Sequence, residues 1–200
     1  MTDNAAFDDI LREAPLMAIL RGMGVERTLA VATRAWDLGI TAVEVPVQTS
    51  VDVEALRVLA AAARERGLTV GAGTVVTLEH VRQAKDAGAA FTVSPGFDLD
   101  IVRASHEAGM PSLPGVATAS EVQQALGAGL TWLKAFPASL LGPGWFPAMR
   151  GPFPGARFVA TGGMDSSNAR EFLDAGVRVV AVGSALEDEK QLPALAALIR

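Results

Sequence analysis

Short apolar runs alternate with longer amphipathic stretches along almost the whole chain of 200 residues. Their first residues lie between 20 and 28 positions apart, by subtraction of the residue numbers. Each run has the length of one buried strand, and each interval has room for one helix with its connections. The eight runs are Leu16–Leu20, Ile40–Val47, Leu68–Gly73, Ala90–Ser94, Met110–Pro114, Leu130–Phe136, Arg157–Ala160 and Arg178–Gly183.

The intervals between these runs carry the signals of helices and helix ends. Val53–Glu65 and Leu78–Ala87 have the apolar spacing of amphipathic helices. Thr118-Ala-Ser-Glu121 has the form of a capping box. Six glycines follow helical patterns and precede strands, where a left-handed residue commonly ends a helix. These glycines are Gly39, Gly67, Gly88, Gly109, Gly129 and Gly176.

Alternating strands and helices predict an α/β fold with a parallel sheet and right-handed crossovers. Eight such units favour closure into a (β/α)8 TIM barrel, whereas the alternative, an open doubly wound sheet, usually has fewer strands. We therefore predict a single barrel domain over residues 1–200. The leading segment Asn4–Glu13 is expected to be an extra N-terminal helix that caps the bottom of the barrel. The Gly- and Pro-rich stretch Ala138–Pro154 is expected to be the longest, polar connection.

Composition restricts the classes of partner and of chemistry. Half of the residues are hydrophobic and the net charge is −5, which provides for a buried core and argues against nucleic acid. The absence of cysteine excludes thiolate chemistry and zinc–thiolate sites. An acidic N-terminus and the lack of a long apolar stretch indicate a cytoplasmic protein with no membrane partner.

Lys134 is the strongest candidate for a reactive group. It is one of three lysines, and it lies inside an apolar strand, whereas Lys85 and Lys190 lie in polar helical contexts. Reactive groups of such barrels lie at the C-terminal ends of the strands. Burial favours a neutral amine, which is the form that attacks a ketone. The alternatives are a lysine paired with a buried carboxylate and a lysine that reaches past the rim.

Glu44 is a carboxylate inside another apolar strand. It shares one face with Ala42 and Pro46, by the period of two. The simpler interpretation is a structural ion pair, with Lys134 as its partner. The same proximity would also allow Glu44 to carry protons for an imine on Lys134.

Two further polar residues end predicted strands. Arg21 could clamp a carboxylate or phosphate with two hydrogen bonds, or it could be an ordinary arginine of the rim. Thr74 follows two glycines that allow close approach of the backbone, which alone is a weak signal.

The connections after the seventh and eighth predicted strands are typical of an anion site. They contain Thr161-Gly162-Gly163 and Gly183-Ser184. In such barrels these loops bind phosphate through backbone N–H groups at the start of a short helix. The alternative is that these glycines only form tight turns.

Other kinds of chemistry are not indicated. The two histidines, His80 and His106, fall in helical patterns, so neither a metal site nor a Ser/His/Asp hydrolase is expected. Nucleotide-binding motifs are absent from the sequence. We therefore expect no metal and no organic cofactor.

Eight motifs together resemble one enzyme family. They are PLMAILRG, AVEVP, VGAGTV, FTVSPGFD, LPGVAT, WLKAFPA, ATGGM and VAVGSAL, in this order from about Pro15 to Leu186. They are similar to the 2-keto-3-deoxy-6-phosphogluconate/2-keto-4-hydroxyglutarate aldolases and to the related 2-keto-3-deoxy-6-phosphogalactonate aldolases. The resemblance implies a class I aldolase that cleaves 2-keto-3-deoxy-6-phosphogluconate to pyruvate and glyceraldehyde 3-phosphate. It also implies a homotrimer.

The resemblance also implies roles for individual residues. Lys134 would form the Schiff base, and Glu44 would donate and accept protons. Substrate contacts would come from Arg21, Thr74, Pro95, Phe136, Gln48 and Thr161. The phosphate would lie near Gly162, Gly163, Gly183 and Ser184.

The motifs disagree on the epimer of the substrate. Many gluconate-type members carry an arginine where this chain has Gln48, and the galactonate type has a short polar residue there with an arginine in the first strand, as here. Thr161 before the two glycines resembles the gluconate type instead. Cleavage of the galactonate compound or of 2-keto-4-hydroxyglutarate therefore remains open.

Two other classes of function remain open. A phosphosugar isomerase or synthase would share the glycines of the phosphate site without needing Lys134. A non-catalytic barrel that binds phosphorylated metabolites would need neither Lys134 nor Glu44.

Overall fold

The computed structural model describes residues 3–12, 15–188 and 190–199. Its strands are β1 (Leu16–Ile19), β2 (Ala42–Pro46), β3 (Val70–Gly73), β4 (Thr92–Val93), β5 (Ser112–Leu113), β6 (Gly115–Val116), β7 (Trp132–Ala135), β8 (Arg157–Thr161) and β9 (Val179–Val182). Its helices are α1 (Asp3–Ile10), α2 (Val25–Asp37), α3 (Ser50–Glu65), α4 (Leu78–Asp86), α5 (Leu99–Glu107), α6 (Ala119–Gly127), α7 (Ala138–Leu141), α8 (Trp145–Arg150), α9 (Ala169–Asp174) and α10 (Leu192–Ala196). A short 3₁₀ helix covers Ser184–Leu186. None of the helices in these three ranges is long and apolar enough to span a lipid bilayer.

The strands form one parallel sheet that closes on itself. The order is β5-β4-β3-β2-β1-β9-β8-β7-β6, and β5 and β6 follow each other in the chain. Together they replace the single strand predicted over Met110–Pro114. Pro114 separates them because it has no N–H to donate, although its carbonyl accepts a hydrogen bond from Lys134 N at 2.9 Å. The (β/α)8 barrel is thus confirmed, and the open doubly wound sheet is excluded.

The alternation of side chains along the strands creates two apolar cores. Outward-facing residues such as Val43, Val45 and Val180 pack against the helices. Inward-facing residues fill the lower part of the barrel: Met17, Ala42, Phe91, Val93, Leu113, Trp132, Val159, Val179 and Ala181. Because the period is two, Glu44 and Lys134 continue the inward faces begun by Ala42 and Trp132. Glu44 and Lys134 therefore lie above the apolar residues that fill the lower part of the barrel.

Helix α1 closes the bottom of the barrel, as predicted. The Phe7 ring packs edge-on against Phe91, with centroids 5.7 Å apart. The Asn4 side chain donates to Gly129 O at 2.9 Å and accepts from Thr131 N at 2.8 Å. The helix ends at Ile10. Glu13, the last residue of the predicted helix, lies outside the described ranges.

Most helix-end predictions are confirmed, with small shifts of the boundaries. All six predicted glycines have left-handed φ values between 70° and 90°. Thr118 and Glu121 form the predicted capping box. Helix α3 begins at Ser50 rather than Val53, because Thr49 and Asp52 form a second capping box. Helix α4 ends at Asp86 rather than Ala87. Both histidines lie in helices, as expected.

The segment 138–154 differs from the polar connection that its glycines and prolines predict. It contains α7 and α8, and Phe146 within it is fully buried. That ring packs edge-on against Phe158 and Phe172, at centroid distances of 5.8 and 5.7 Å. The aromatic side chains give this segment an apolar face that packs on β8 and α9. Several of its glycines and prolines therefore lie at the ends of short helices, and the segment is not irregular throughout.

Candidate active site

A cleft of about 650 Å³ opens at the C-terminal ends of the strands. It contains eight of the residues singled out from the sequence: Arg21, Lys134, Phe136, Thr161, Gly162, Gly163, Gly183 and Ser184. Eight further lining residues were not predicted: Ile19, Met23, Met164, Asp165, Ala181, Ala185, Glu187 and Gln191. The cleft is continuous from the lysine at its inner end to the glycines at its outer end.

Lys134 and Glu44 meet at the inner end of this cleft. Lys134 Nζ lies 3.8 Å from Glu44 Oε1, and the two side chains are 5% and 1% exposed. Neither carboxylate oxygen of Glu44 accepts a hydrogen bond within the described part of the chain. An unpaired buried carboxylate is costly unless it is neutralised or a partner reaches it. The arrangement therefore leaves Glu44 free to bond to a group that enters beside Lys134.

Burial raises the pKa of the Glu44 carboxyl above its ordinary value of 4.5, although the charges of Lys134 and Arg21 oppose the shift. Loss of water disfavours the ionised form of a carboxyl group. Glu44 therefore keeps its proton to higher pH than an exposed glutamate does. A carboxyl group with this property can donate a proton and take it back during a reaction near neutral pH.

Two glycines on β3 make the room that the interior side chains occupy. A Cβ on Gly71 would lie 2.1 Å from the Phe91 ring, and one on Gly73 would lie 2.9 Å from the Glu44 carboxyl carbon. Such distances cannot be accommodated without a shift of the neighbour. Both glycines face inward, since Ala72 between them packs outward. The Gly-Ala-Gly pattern is visible in the sequence, but only the structure shows that its glycines leave room for Phe91 and Glu44.

Replacing Gly73 by alanine is expected to lower turnover by about 100-fold, because the new methyl group would displace the Glu44 carboxyl by a fraction of an ångström or more. Steady-state kinetics of the reaction at this site measures the effect. Gly96→Ala is the matched control, since a Cβ there meets nothing within 4 Å. Equal turnover of the two variants would show that the position of Glu44 does not limit the reaction.

Arg21 joins the ends of three strands in one cluster. Its Nη1 donates to Gln48 Oε1, and its Nη2 donates to Thr74 Oγ1 at 3.2 Å. Thr74 has a φ of 57°, a left-handed conformation that a β-branched residue rarely adopts and that costs about 1–3 kcal/mol. The strand ends predicted the proximity of Arg21 and Thr74, but nothing in the sequence predicted this backbone conformation.

Phe136 lies beside Lys134 in the cleft lining. Pro95 lies outside the lining, as do Glu44, Gln48 and Thr74. Lys134 Nζ is 5.4 Å from the centroid of the Phe136 ring. The same ring limits the space at Gly162, where a Cβ would lie 3.1 Å away. Pro95 follows β4 and turns its carbonyl towards Gly115, where a Cβ would lie 2.0 Å from the oxygen. A direct contact of Pro95 with a substrate stays a prediction.

The outer end of the cleft combines the predicted glycines with acidic residues. Gly162 and Gly163 have left-handed φ values of 97° and 72°. Asp165 Oδ1 accepts hydrogen bonds from Ser167 N at 2.8 Å and Ser167 Oγ at 2.6 Å. Those bonds lower the pKa of Asp165 below its ordinary value. Sequence patterns gave no indication that Asp165 or Glu187 would face the cleft.

A closed barrel with a buried lysine and a buried carboxyl group at the inner end of its cleft is typical of an enzyme. The chain belongs to the KDPG and KHG aldolase family, whose model matches residues 7–197. Membership in this family makes it an aldolase, which is a carbon–carbon lyase.

Relatives of both epimer types resemble this chain. It is 39% identical to a 2-dehydro-3-deoxy-phosphogluconate aldolase of Treponema pallidum, over 86% of this chain and 80% of that one. It is 35% identical to a probable 2-dehydro-3-deoxy-6-phosphogalactonate aldolase of Rhizobium meliloti, over 87% and 82%. Among solved structures, a KDPG aldolase of Legionella pneumophila with pyruvate captured as a covalent carbinolamine is 30% identical. Its TM-score is 0.82, over 95% of this chain and 94% of that one.

Proposed function

We propose that this class I aldolase cleaves 2-keto-3-deoxy-6-phosphogluconate to pyruvate and glyceraldehyde 3-phosphate through an imine on Lys134. The observation that carries the proposal is a buried amine 3.8 Å from a buried carboxyl group at the inner end of the cleft. The Legionella pneumophila structure supports the same chemistry, because it holds pyruvate as a covalent carbinolamine.

The first half of the reaction forms the imine. Lys134 Nζ attacks the C2 carbonyl of the substrate, and the proton lost by the amine passes to the carbonyl oxygen by way of Glu44. The resulting carbinolamine loses its hydroxyl group as water, with the proton supplied by the Glu44 carboxyl. The products of this half are an iminium on Lys134 and an ionised Glu44. A raised pKa of Glu44 suits this step, since the carboxyl starts out protonated.

The second half breaks the carbon–carbon bond. Glu44 takes the proton of the C4 hydroxyl while the C3–C4 electron pair moves into the iminium. This step releases glyceraldehyde 3-phosphate and leaves an enamine. Glu44 then returns the proton to C3 and becomes ionised. Water hydrolyses the iminium to pyruvate and the amine of Lys134, and the proton released by this hydrolysis returns to Glu44.

The remaining predicted residues would hold the substrate in place. Arg21 is suited to the substrate carboxylate, because its guanidinium lies in the cleft and is already oriented by Gln48 and Thr74. Phe136 would form one apolar wall around the pyruvate carbons, and Pro95 another. Thr161 is buried at the end of β8, where its hydroxyl would meet a hydroxyl of the sugar chain.

The glycines of the outer end would bind the phosphate. Gly162 and Gly163 turn the backbone beside the cleft, and Gly183 and Ser184 face it from the next connection. Backbone N–H groups and a serine hydroxyl are suitable donors for phosphate oxygens. The glycines lie at the opposite end of the cleft from Lys134. This matches the substrate, whose phosphate lies at the opposite end of the carbon chain from its keto acid group.

The main alternative substrate is 2-keto-3-deoxy-6-phosphogalactonate. Two features favour it, since the resemblance associates the galactonate type with an arginine in the first strand, as at Arg21, and with a polar residue instead of arginine at the position of Gln48. Thr161 favours the gluconate compound. Discrimination between two epimers depends on a single hydroxyl group, and a site without a charged partner for that hydroxyl discriminates weakly. We expect both compounds to be cleaved, with the gluconate compound preferred.

Four substrates compared side by side test the proposal. We expect 2-keto-3-deoxy-6-phosphogluconate to exceed its unphosphorylated analogue and 2-keto-4-hydroxyglutarate by at least about tenfold in kcat/KM, the value of one charge-assisted hydrogen bond. Pyruvate release measures all four rates. Equal rates with and without phosphate would contradict the phosphate site. A clear preference for the galactonate epimer would show that Gln48 indicates the substrate better than Thr161 does.

Three broader expectations stay predictions: a single domain over residues 1–200, a homotrimer and a cytoplasmic location. The homotrimer is implied by the family resemblance.

A further inference from the structure

The outer end of the cleft carries acidic side chains that oppose a phosphate dianion. Its ionisable side chains are Asp165 and Glu187. Asp165 is ionised at neutral pH, because hydrogen bonds from Ser167 lower its pKa. Among the cleft-lining residues that the structure describes, the basic side chains are those of Arg21 and Lys134, which belong to the inner end. Backbone N–H donors can hold a phosphate there, and a cation from outside the lining would offset its repulsion by the two carboxylates.

Arg27 pairs with one of these two carboxylates, although it is not itself a lining residue. It is in the first turn of α2, the helix that follows β1, and its Nη2 is 2.5 Å from Glu187 Oε2. The Arg27 side chain is 60% exposed, so packing does not hold the guanidinium in place. An exposed ion pair of this kind contributes little to stability. A phosphate dianion carries more negative charge than the Glu187 carboxylate, and it offers the guanidinium two parallel charge-assisted hydrogen bonds.

We propose that Arg27 is a phosphate-binding residue of this cleft, which leaves Glu187 and pairs with the terminal phosphate when the substrate enters. The inference rests on the phosphorylated substrate given under Proposed function. In the empty cleft, Glu187 keeps Arg27 close to the outer end. In the complex, Glu187 competes with the phosphate for the same guanidinium and repels the dianion.

Two variants with opposite expected effects test this inference. Arg27→Gln is expected to raise KM for 2-keto-3-deoxy-6-phosphogluconate by about tenfold, since it removes a charge-assisted pair. Glu187→Gln is expected to lower that KM, because it removes the competitor and a repulsive charge. The ratio of kcat/KM for the phosphorylated compound to that for unphosphorylated 2-keto-3-deoxygluconate should fall in the first variant and rise in the second.

The opposite signs separate binding from a structural role. If the ion pair only anchors α2 to the connection after β9, both substitutions break the same contact and shift KM in the same direction. Arg57→Gln is the matched control. Arg57 forms a similar exposed pair with Glu54 within α3, away from the cleft, so its loss should leave the ratio unchanged.

Each outcome has a distinct meaning. A fall of the ratio in Arg27→Gln together with a rise in Glu187→Gln supports the inference. An unchanged ratio in Arg27→Gln overturns the inference about Arg27, as does a change of the ratio in the same direction in both variants. Neither result contradicts the proposed function. Equal wild-type rates on the two compounds would overturn the phosphate site under Proposed function, and Arg27 as its ligand with it.

Discussion

Replacing Lys134 by arginine is expected to abolish cleavage, with a loss of turnover on the order of 10⁶-fold, the scale seen when a covalent nucleophile is removed. A guanidinium stays protonated and cannot attack the C2 carbonyl. Pyruvate release from the proposed substrate measures the loss.

Covalent trapping identifies the lysine independently of the variant's folding. Wild-type protein treated with pyruvate and borohydride should gain a reduced pyruvyl group on the peptide that contains Lys134. Lys85 and Lys190 are exposed and provide the controls, since their arginine variants should label and turn over like the wild type. Labelling at either of them instead of Lys134 would contradict the assignment. Trapping also separates an imine-forming aldolase from an isomerase or a non-catalytic barrel, neither of which forms the adduct.

Glu44→Gln is expected to lower turnover by about 10²–10⁴-fold, the usual contribution of general acid–base catalysis. The amide keeps the size of the side chain but cannot exchange protons. The pH profile of kcat gives a second measurement. In the wild type, the change of kcat with pH that reports ionisation of Glu44 should lie above the ordinary pKa of 4.5, because burial raises the pKa. The variant should lack this pH dependence.

The stability of Glu44→Gln distinguishes a proton carrier from a structural ion pair. Between the ordinary and the raised pKa, the folded protein binds more protons at this site than the unfolded chain does, so ionisation of Glu44 lowers stability as the pH rises. The variant should therefore unfold at the same denaturant concentration as the wild type or a higher one at pH 8. Unfolding of the variant, or near-normal turnover, would favour the structural ion pair.

The sequence by itself determined the repeating plan of the barrel. Strand period and helix-ending glycines are local properties, since each depends on residues a few positions apart. The same local patterns placed Lys134 and Glu44 inside apolar strands, which marked both as unusual. The single strand predicted over Met110–Pro114 was wrong. Pro114 marked the interruption, but the sequence does not show that β5 pairs with β4 and β6 with β7.

Only the tertiary structure decided which distant residues meet. Closure of the barrel brings Lys134 to 3.8 Å from Glu44, although β2 and β7 are not neighbours in the sheet. It also explains why β3 carries Gly73 opposite Glu44. In addition, it places Glu187 at the outer end of the cleft, paired with Arg27. These contacts depend on the register and curvature of the whole sheet, and no local pattern encodes either.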